Sequence, residues 1–324
     1  MQIQDVFQRY SNDLNRVEEC MEECLRSDIH LIPQIIHHII GSGGKRFRPL
    51  LLLAAADLCG YRGARRDNMS VVIEFVHTAT LLHDDVIDSA EIRRGSVSAN
   101  NIWGNAASVL VGDYLYSTAF KLMTADGNLA IMKLVSQTTN TMSEGEIFQL
   151  VKSGKISITE KEYLSIIEKK TSLLISTACA VGGILGEAPD AQIEALARFG
   201  MRLGSAYQIT DDTLDYVAQE EEFGKAVGKD LAEGKITLPL IWVLKQCSAK
   251  EKSLIKKVVR HKAEGADHLM DIVALIDKYG GVNYALAKAK AYIDDGEDLL
   301  HIFPDSDAKT ALLTVSNYIV ERRF

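Results

Sequence analysis

The 324-residue sequence predicts an all-α fold, a single large helical bundle running over residues 1–324. Three observations predict it. Apolar residues return at three- and four-residue steps through long segments, the spacing of a helix face. Alternating, strand-like patterns bounded by turns are nearly absent. Only five prolines occur, Pro33, Pro49, Pro189, Pro239 and Pro304, so long helices can run between them.

The periodic segments are, in order, Val6–Leu25, Met69–Val86, Ala106–Met123, Leu129–Val151, Tyr163–Leu185 and Ile193–Val217. Thr159 with Glu162, and Ser248 with Glu251, have the spacing of capping boxes, and Pro189-Asp190 and Pro304-Asp305 mark later helix starts. Breaks fall at Gly41–Gly44, Gly95–Asn101, Gly182–Asp190, Glu220–Gly234 and Gly280-Gly281, and none has the composition of an interdomain linker. Met69–Val86 and Tyr163–Leu185 are apolar around much of their circumference, as befits helices in the middle of a bundle.

Net charge is −8, which argues against nucleic acid as the partner, since phosphate backbones call for a basic face. The five cysteines lack zinc spacing or an even count and read as reduced packing residues. No secretory leader is visible at the N-terminus, and the longest apolar stretches, Leu50–Ala56 and Leu173–Leu185, fall short of the roughly 20 residues of a membrane span. A cytoplasmic location is expected.

The chemistry is concentrated in two short stretches. LLHDDVIDSAEIRRG (Leu81–Gly95) places Asp84, Asp85 and Asp88 at the end of an apolar helix. Positions i and i+4 share a helix face, so Asp84 and Asp88 point the same way. Burying them unpaired is costly, and a hard divalent cation removes that cost, because Mg²⁺ takes carboxylate oxygens together with waters and phosphates. YQITDDTLDY (Tyr207–Tyr216) repeats the pattern with Asp211, Asp212 and Asp215. The two clusters are expected to meet across a cavity. Cations trail both: Arg93 and Arg94 the first; Lys225, Lys229 and Lys235 the second. GSGGKRFRP (Gly41–Pro49) adds Lys45, Arg46 and Arg48, and EKKTS (Glu168–Ser172) adds Lys169 and Lys170. An acidic protein so arranged suits diphosphates bridged by metal. No Ser-His-Asp set, nucleophilic Cys or HExxH motif offers another chemistry. Metal and cations around a diphosphate stabilise the charge that develops as it leaves, and an apolar cavity shields the carbocation left behind.

GGKRFRP, LLHDDVIDSAEIRRG, YQITDDTLD and GKAVGKDLAEGKITLPLI together resemble the trans-isoprenyl diphosphate synthases (polyprenyl synthetases), in that family's order, from about Gly43 onward. The resemblance implies an all-α bundle around a deep central cavity, a homodimer, and head-to-tail condensation of isopentenyl diphosphate with an allylic diphosphate. It implies three Mg²⁺ ions, replaceable by Mn²⁺, two held by Asp84 and Asp88 and one by Asp211, with Asp85, Asp212 and Asp215 completing the clusters. Arg93, Lys170, Lys225 and Lys235 would hold the allylic diphosphate; Lys45, Arg48, His77 and Arg94 would hold isopentenyl diphosphate. Thr171 and Gln208, with Lys170 and Lys225, would stand at the reacting carbons, and the departing diphosphate would accept the proton.

Ala79 and Thr80, five and four residues before Asp84, are small where short-chain members resembling this one often carry an aromatic. A long product near C40, of the kind used for quinone side chains, is therefore expected, with the floor set lower by Val76 on the same helix or by Phe120 or Met123 on a later one. Transient membrane contact during release of so apolar a product is reasonable. The alternatives are a geranylgeranyl (C20) synthase, an isoprenoid cyclase, and a noncatalytic partner subunit; the second intact aspartate motif speaks against the last two.

Overall fold

The computed structural model describes residues 1–41, 46–217, 229–260 and 268–321. Helix dominates, as expected. The β-structure among the described residues is one hairpin, β1 (Ile92–Arg93) against β2 (Ser96–Val97), antiparallel, with Arg93 opposite Ser96. The chain forms two compact units. The first comprises Met1–Thr139, Leu174–Gly200 and Leu300–Val315; the second comprises Asn140–Leu173, Met201–Leu299 and Ser316–Phe324. Several of these boundaries fall inside helices.

The first unit holds α1 (Ile3–Arg9), α2 (Ser11–Cys24), α3 (Leu31–Gly41), α4 (Phe47–Leu58), α5 (Arg65–Ile87), α6 (Ala99–Asp126) and the start of α7 (Leu129–Lys152). Its core is α4 and α5. Residues Leu50–Ala56 of α4 and Met69–Val76 of α5 are buried without interruption, as the all-round apolar pattern requires. The expected helix Val6–Leu25 is two helices. The break is at Tyr10 (φ −96°, ψ 8°), whose ring is buried and whose hydroxyl donates to Asp57 Oδ2 at 3.2 Å. Helix α6 bends at Gly104, where φ is 83°. The five cysteines carry free thiols, and burial pushes that of Cys179 up to about 12.

The second unit positions the richer chemistry. Helix α8 (Glu160–Ile167) starts on the expected box: Thr159 N–H donates to Glu162 at 2.8 Å, and Glu162 N–H donates to Thr159 Oγ1 at 3.3 Å. Ser248 and Glu251 repeat the arrangement before α13 (Ala249–Arg260). The segment Tyr163–Leu185, expected as one helix, contains a π-helical turn over Glu168–Ser172 between α8 and α9 (Leu173–Leu185). Ser172 Oγ supports the wide turn by donating back five residues to the Ile167 carbonyl at 3.2 Å. Two glycines allow neighbours to come close. A Cβ at Gly145 of α7 would fall 2.7 Å from Lys169 Cβ, and one at Gly204 of α10 (Asp190–Val217) would fall 2.5 Å from Ser172 Cα. The remaining helices are α11 (Lys229–Ala232), α12 (Leu238–Leu244), α14 (Leu269–Lys278), α15 (Gly281–Leu299) and α16 (Asp307–Glu321). Glu160 ties α8 to α12 and α15, accepting from Lys245 at 2.6 Å and Lys288 at 2.7 Å.

Candidate active site

In the first unit, α5 ends in the first aspartate cluster. Asp84 and Asp88 are half-buried, and the Asp88 N–H closes the helix on the Asp84 carbonyl at 2.8 Å. Asp85, one step round, behaves differently. It is fully buried, and its Oδ1 accepts from Arg93 Nε and Nη2, both at 2.6 Å. The sequence places Asp85 one step round from the helix face that Asp84 and Asp88 share. The structure separates them, because residue 85 faces the core and needs a cation from its own chain.

Arg93 and Arg94 are presented by the β1–β2 hairpin. Arg94 (φ 50°) and Gly95 (φ 80°) form its two-residue turn, and positive φ at both positions is the primed turn whose twist suits a tight hairpin. His77 sits on α5, less than two turns before Asp84. Burial, and then the charges of Arg48, Arg94, Arg93 and Arg46, hold its pKa well below the ordinary value, so it is a neutral imidazole near pH 7. The charges of Arg48, Arg93 and Arg94 thus all bear on His77. Arg46 is committed elsewhere. It begins α4 in a left-handed conformation (φ 45°), and its guanidinium lies 3.3 Å from Glu18 and 3.5 Å from the buried Glu74. Lys45 lies outside the described residues.

Along α5, Val76 and Ala79 are fully buried, while Thr80 is half-buried with its hydroxyl on the His77 carbonyl at 2.7 Å. On α6, Met123 is buried. Phe120 is 38% exposed, on a face it shares with the exposed Val109.

In the second unit, a pocket of about 110 Å³ is lined by the π turn, α8, α10 and the approach to α12. Lys170, Thr171, Gln208, Asp212 and Lys235 all reach it, so the structure brings together these expected site residues. Its walls include Ile158, Ile166, Ile167 and Ile236. Lys170 Nζ lies 2.8 Å from Glu146 and Lys235 Nζ 2.7 Å from Glu233. Thr171 donates to Gln208 Oε1 at 2.8 Å, and Gln208 Nε2 donates to Asp212 Oδ1 at 2.7 Å. Tyr163 donates to Asp212 Oδ2 at 2.6 Å. Asp211 and Asp215 are half-buried, and Asp215 Oδ2 accepts the Asp230 N–H at 3.0 Å.

Asp230, Tyr163 and Glu146 were not among the residues the sequence singled out. Asp230 carries the clearest signal. Burial, and then the charges of Asp212 and Asp215, push its carboxyl well above the usual carboxylate range. Asp212 is raised in the same way, by burial first and by Asp211 and Asp215 further. Lys225 lies outside the described residues.

Both clusters offer carboxylate oxygen, the donor a hard divalent cation takes. Among the described residues, no group of three acidic, His or Cys side chains is gathered so as to hold an ion alone. Mg²⁺ does not require one, since it is bound through one or two carboxylates, waters and substrate phosphates. The mutual crowding of Asp211, Asp212, Asp215 and Asp230 is what a bound cation would relieve. The residues fit the metal.

A family model described as polyprenyl synthetase matches residues 29–276. The chain is 36% identical to the octaprenyl diphosphate synthase of Haemophilus influenzae, covering 100% of this chain and 98% of that protein. It is also 36% identical to the geranylgeranyl diphosphate synthase of Methanosarcina mazei, covering 89% and 88%. Among solved structures, a polyprenyl synthase from Caulobacter crescentus, complexed with calcium and isoprenyl diphosphate, superposes with a TM-score of 0.95 at 34% identity, over 100% of this chain and 98% of that one.

Proposed function

The chain belongs to the polyprenyl synthetase family and is a prenyltransferase, and on that premise we propose that it condenses isopentenyl diphosphate with farnesyl diphosphate, or a similar allylic primer, into an all-trans product of about octaprenyl length, C40, for quinone side chains. The observation that carries the reading is the likeness, from end to end, to an octaprenyl diphosphate synthase. The small Ala79 supports it, since α5 carries a methyl group there rather than an aromatic ring.

The roles follow from chemistry, with residues 1–324 acting as one catalytic domain. Asp84, Asp88 and Asp211 would hold Mg²⁺, three ions in all, or Mn²⁺ in its place, with Asp215 completing the second cluster; the calcium in the Caulobacter structure supports a divalent site. A bound metal would supply positive charge to neutralise the diphosphate as a leaving group. Asp85 holds Arg93 for the allylic diphosphate, alongside Lys170, Lys225 and Lys235. Lys45, Arg48 and Arg94 hold isopentenyl diphosphate, and the neutral His77 adds an N–H donor without adding another charge. The isoleucines of the pocket exclude water from the cation, and Thr171 and Gln208 turn their dipoles on it. The proton lost after attack goes to the departing diphosphate.

A second copy of the chain is the proposed partner. Val109, Leu110 and Phe120 leave an exposed apolar face on α6, a surface that isolated soluble chains rarely keep. Among the described residues no helix is long and apolar enough to cross a membrane, so any membrane contact on release of the apolar product would be peripheral. A shorter, C20 product is the second reading, favoured by the likeness to the Methanosarcina enzyme. Incubation of the purified protein with Mg²⁺, farnesyl diphosphate and labelled isopentenyl diphosphate, followed by sizing of the dephosphorylated products, tests both. A ladder ending near C40 supports the first, a stop at C20 the second, and no elongation defeats the assignment.

A further inference from the structure

The geometry points to Tyr163 and Asp212 as positioning residues that fix the polarity of Gln208 and Thr171, so that oxygen lone pairs rather than protons are presented to the pocket where the allylic cation forms. The inference rests on the prenyl-transfer reading and deepens it.

A glutamine amide and a threonine hydroxyl can each be turned either way, and a carbocation tells the difference. Carbonyl and hydroxyl oxygens stabilise it; N–H and O–H groups destabilise it. Asp212 removes the choice. Gln208 turns its amide nitrogen to the carboxylate, Nε2 donating to Asp212 Oδ1 at 2.7 Å. Gln208 Oε1 is then turned the other way, toward Thr171, and as an acceptor it takes the Thr171 proton at 2.8 Å. The Thr171 lone pairs are left for the pocket, which both residues line. Tyr163 anchors the start of the relay. Its phenol is 4% exposed and has only one proton to give, which goes to the second oxygen of Asp212 at 2.6 Å. With both oxygens engaged, Asp212 cannot rotate and the relay has one direction. Asp212, expected from the motif to bind metal, thereby acts through its neighbours, while Asp211 and Asp215 remain half-buried.

The test is a double-mutant cycle between Tyr163→Phe and Thr171→Val, read as single-turnover rate, KM for each diphosphate, and the Mg²⁺ concentration for half activity. The relay predicts that each single variant slows the chemical step about tenfold, the rate equivalent of one hydrogen bond to a charged group. KM values and Mg²⁺ dependence should stay within about twofold. The double variant should be no slower than the worse single one, because both break the same chain, and Thr171→Ser should keep most of the rate. Multiplying losses would overturn the relay, as would a Tyr163→Phe defect confined to Mg²⁺ activation. If Tyr163→Phe fails to fold, Asp212→Asn takes its place in the cycle under the same criteria. A wild-type protein that does not elongate would instead sink the functional reading itself.

Discussion

Gly204→Ala is the most direct probe of how the π turn is held. The added Cβ would lie 2.5 Å from Ser172 Cα and 2.9 Å from Ser172 Cβ. Carbon atoms not bonded to one another settle at about 3.5–4.0 Å, so α10 and the π turn must part by about 1 Å. Such overpacking costs about 1–3 kcal/mol. Alanine is the better helix former by about 1 kcal/mol, which leaves a net loss of about 0–2 kcal/mol in urea denaturation. The effect on rate should be out of proportion. The turn carries Lys170 and Thr171, and misplacing a reacting group by about 1 Å can cost about 10²-fold. Gly200→Ala is the control. Its Cβ meets Ser176 Cα at 2.7 Å, an equivalent clash one helical turn away, against α9 rather than the π turn. The expected result is similar stability for the two variants and a much lower single-turnover rate for Gly204→Ala alone. Equal rates in the two variants would refute the view that this contact sets the catalytic geometry.

Other expectations follow from the same geometry. Ala79→Tyr on α5 should shorten the product to about C20 or less, since a phenol adds bulk on the helix along which the growing chain is proposed to run; an unchanged ladder would show that the product does not run past residue 79. Asp84→Ala and Asp88→Ala should each lower activity by at least about 10²-fold, several kcal/mol of lost charge stabilisation, and chelation should abolish it reversibly, which a Mg²⁺ titration checks. Glu160 supplies a pH signature. Burial raises its carboxyl, but the bonds from Lys245, Lys288 and Tyr284 outweigh burial and hold it at about 2 rather than 4.5. A carboxyl depressed in the folded state stabilises the protein above its unfolded value and loses that contribution as pH falls through the folded one. Urea midpoints between pH 5 and 3 should therefore fall more steeply for wild type than for Glu160→Gln; parallel curves would count against the pairing.

The aspartate clusters were readable because the i, i+1, i+4 pattern states its own geometry, and it occurs twice at the ends of apolar helices. The helices were readable because burial follows periodicity: the all-round apolar stretch of α5 is buried all round. The pattern could not show which acids face outward. Asp85 and Asp212 look like their neighbours in sequence and differ only in what packs beside them, Arg93 in one case and Tyr163 with Gln208 in the other. Asp230 lies in the quoted GKAVGKDLAEGKITLPLI stretch and Glu146 beside Glu144, but only tertiary structure brings Asp230 to Asp212 and Glu146 to Lys170. Arg46 was grouped with its basic neighbours, although its left-handed backbone turns it toward Glu18 and Glu74.

The π turn at Glu168–Ser172 holds one residue more than an ordinary helical turn would. It works as a phase slip. Residues before and after it keep regular periodicity, but the two registers are offset by about 100°, the angle of one residue. Deleting one residue there would leave an unbroken helix with sound hydrogen bonds, and it would rotate Tyr163, Ile166 and Ile167 by that angle relative to α9. The error would leave the helix whole and turn the wall of the pocket out of register, so at this point the length of the chain carries as much information as the identity of its residues.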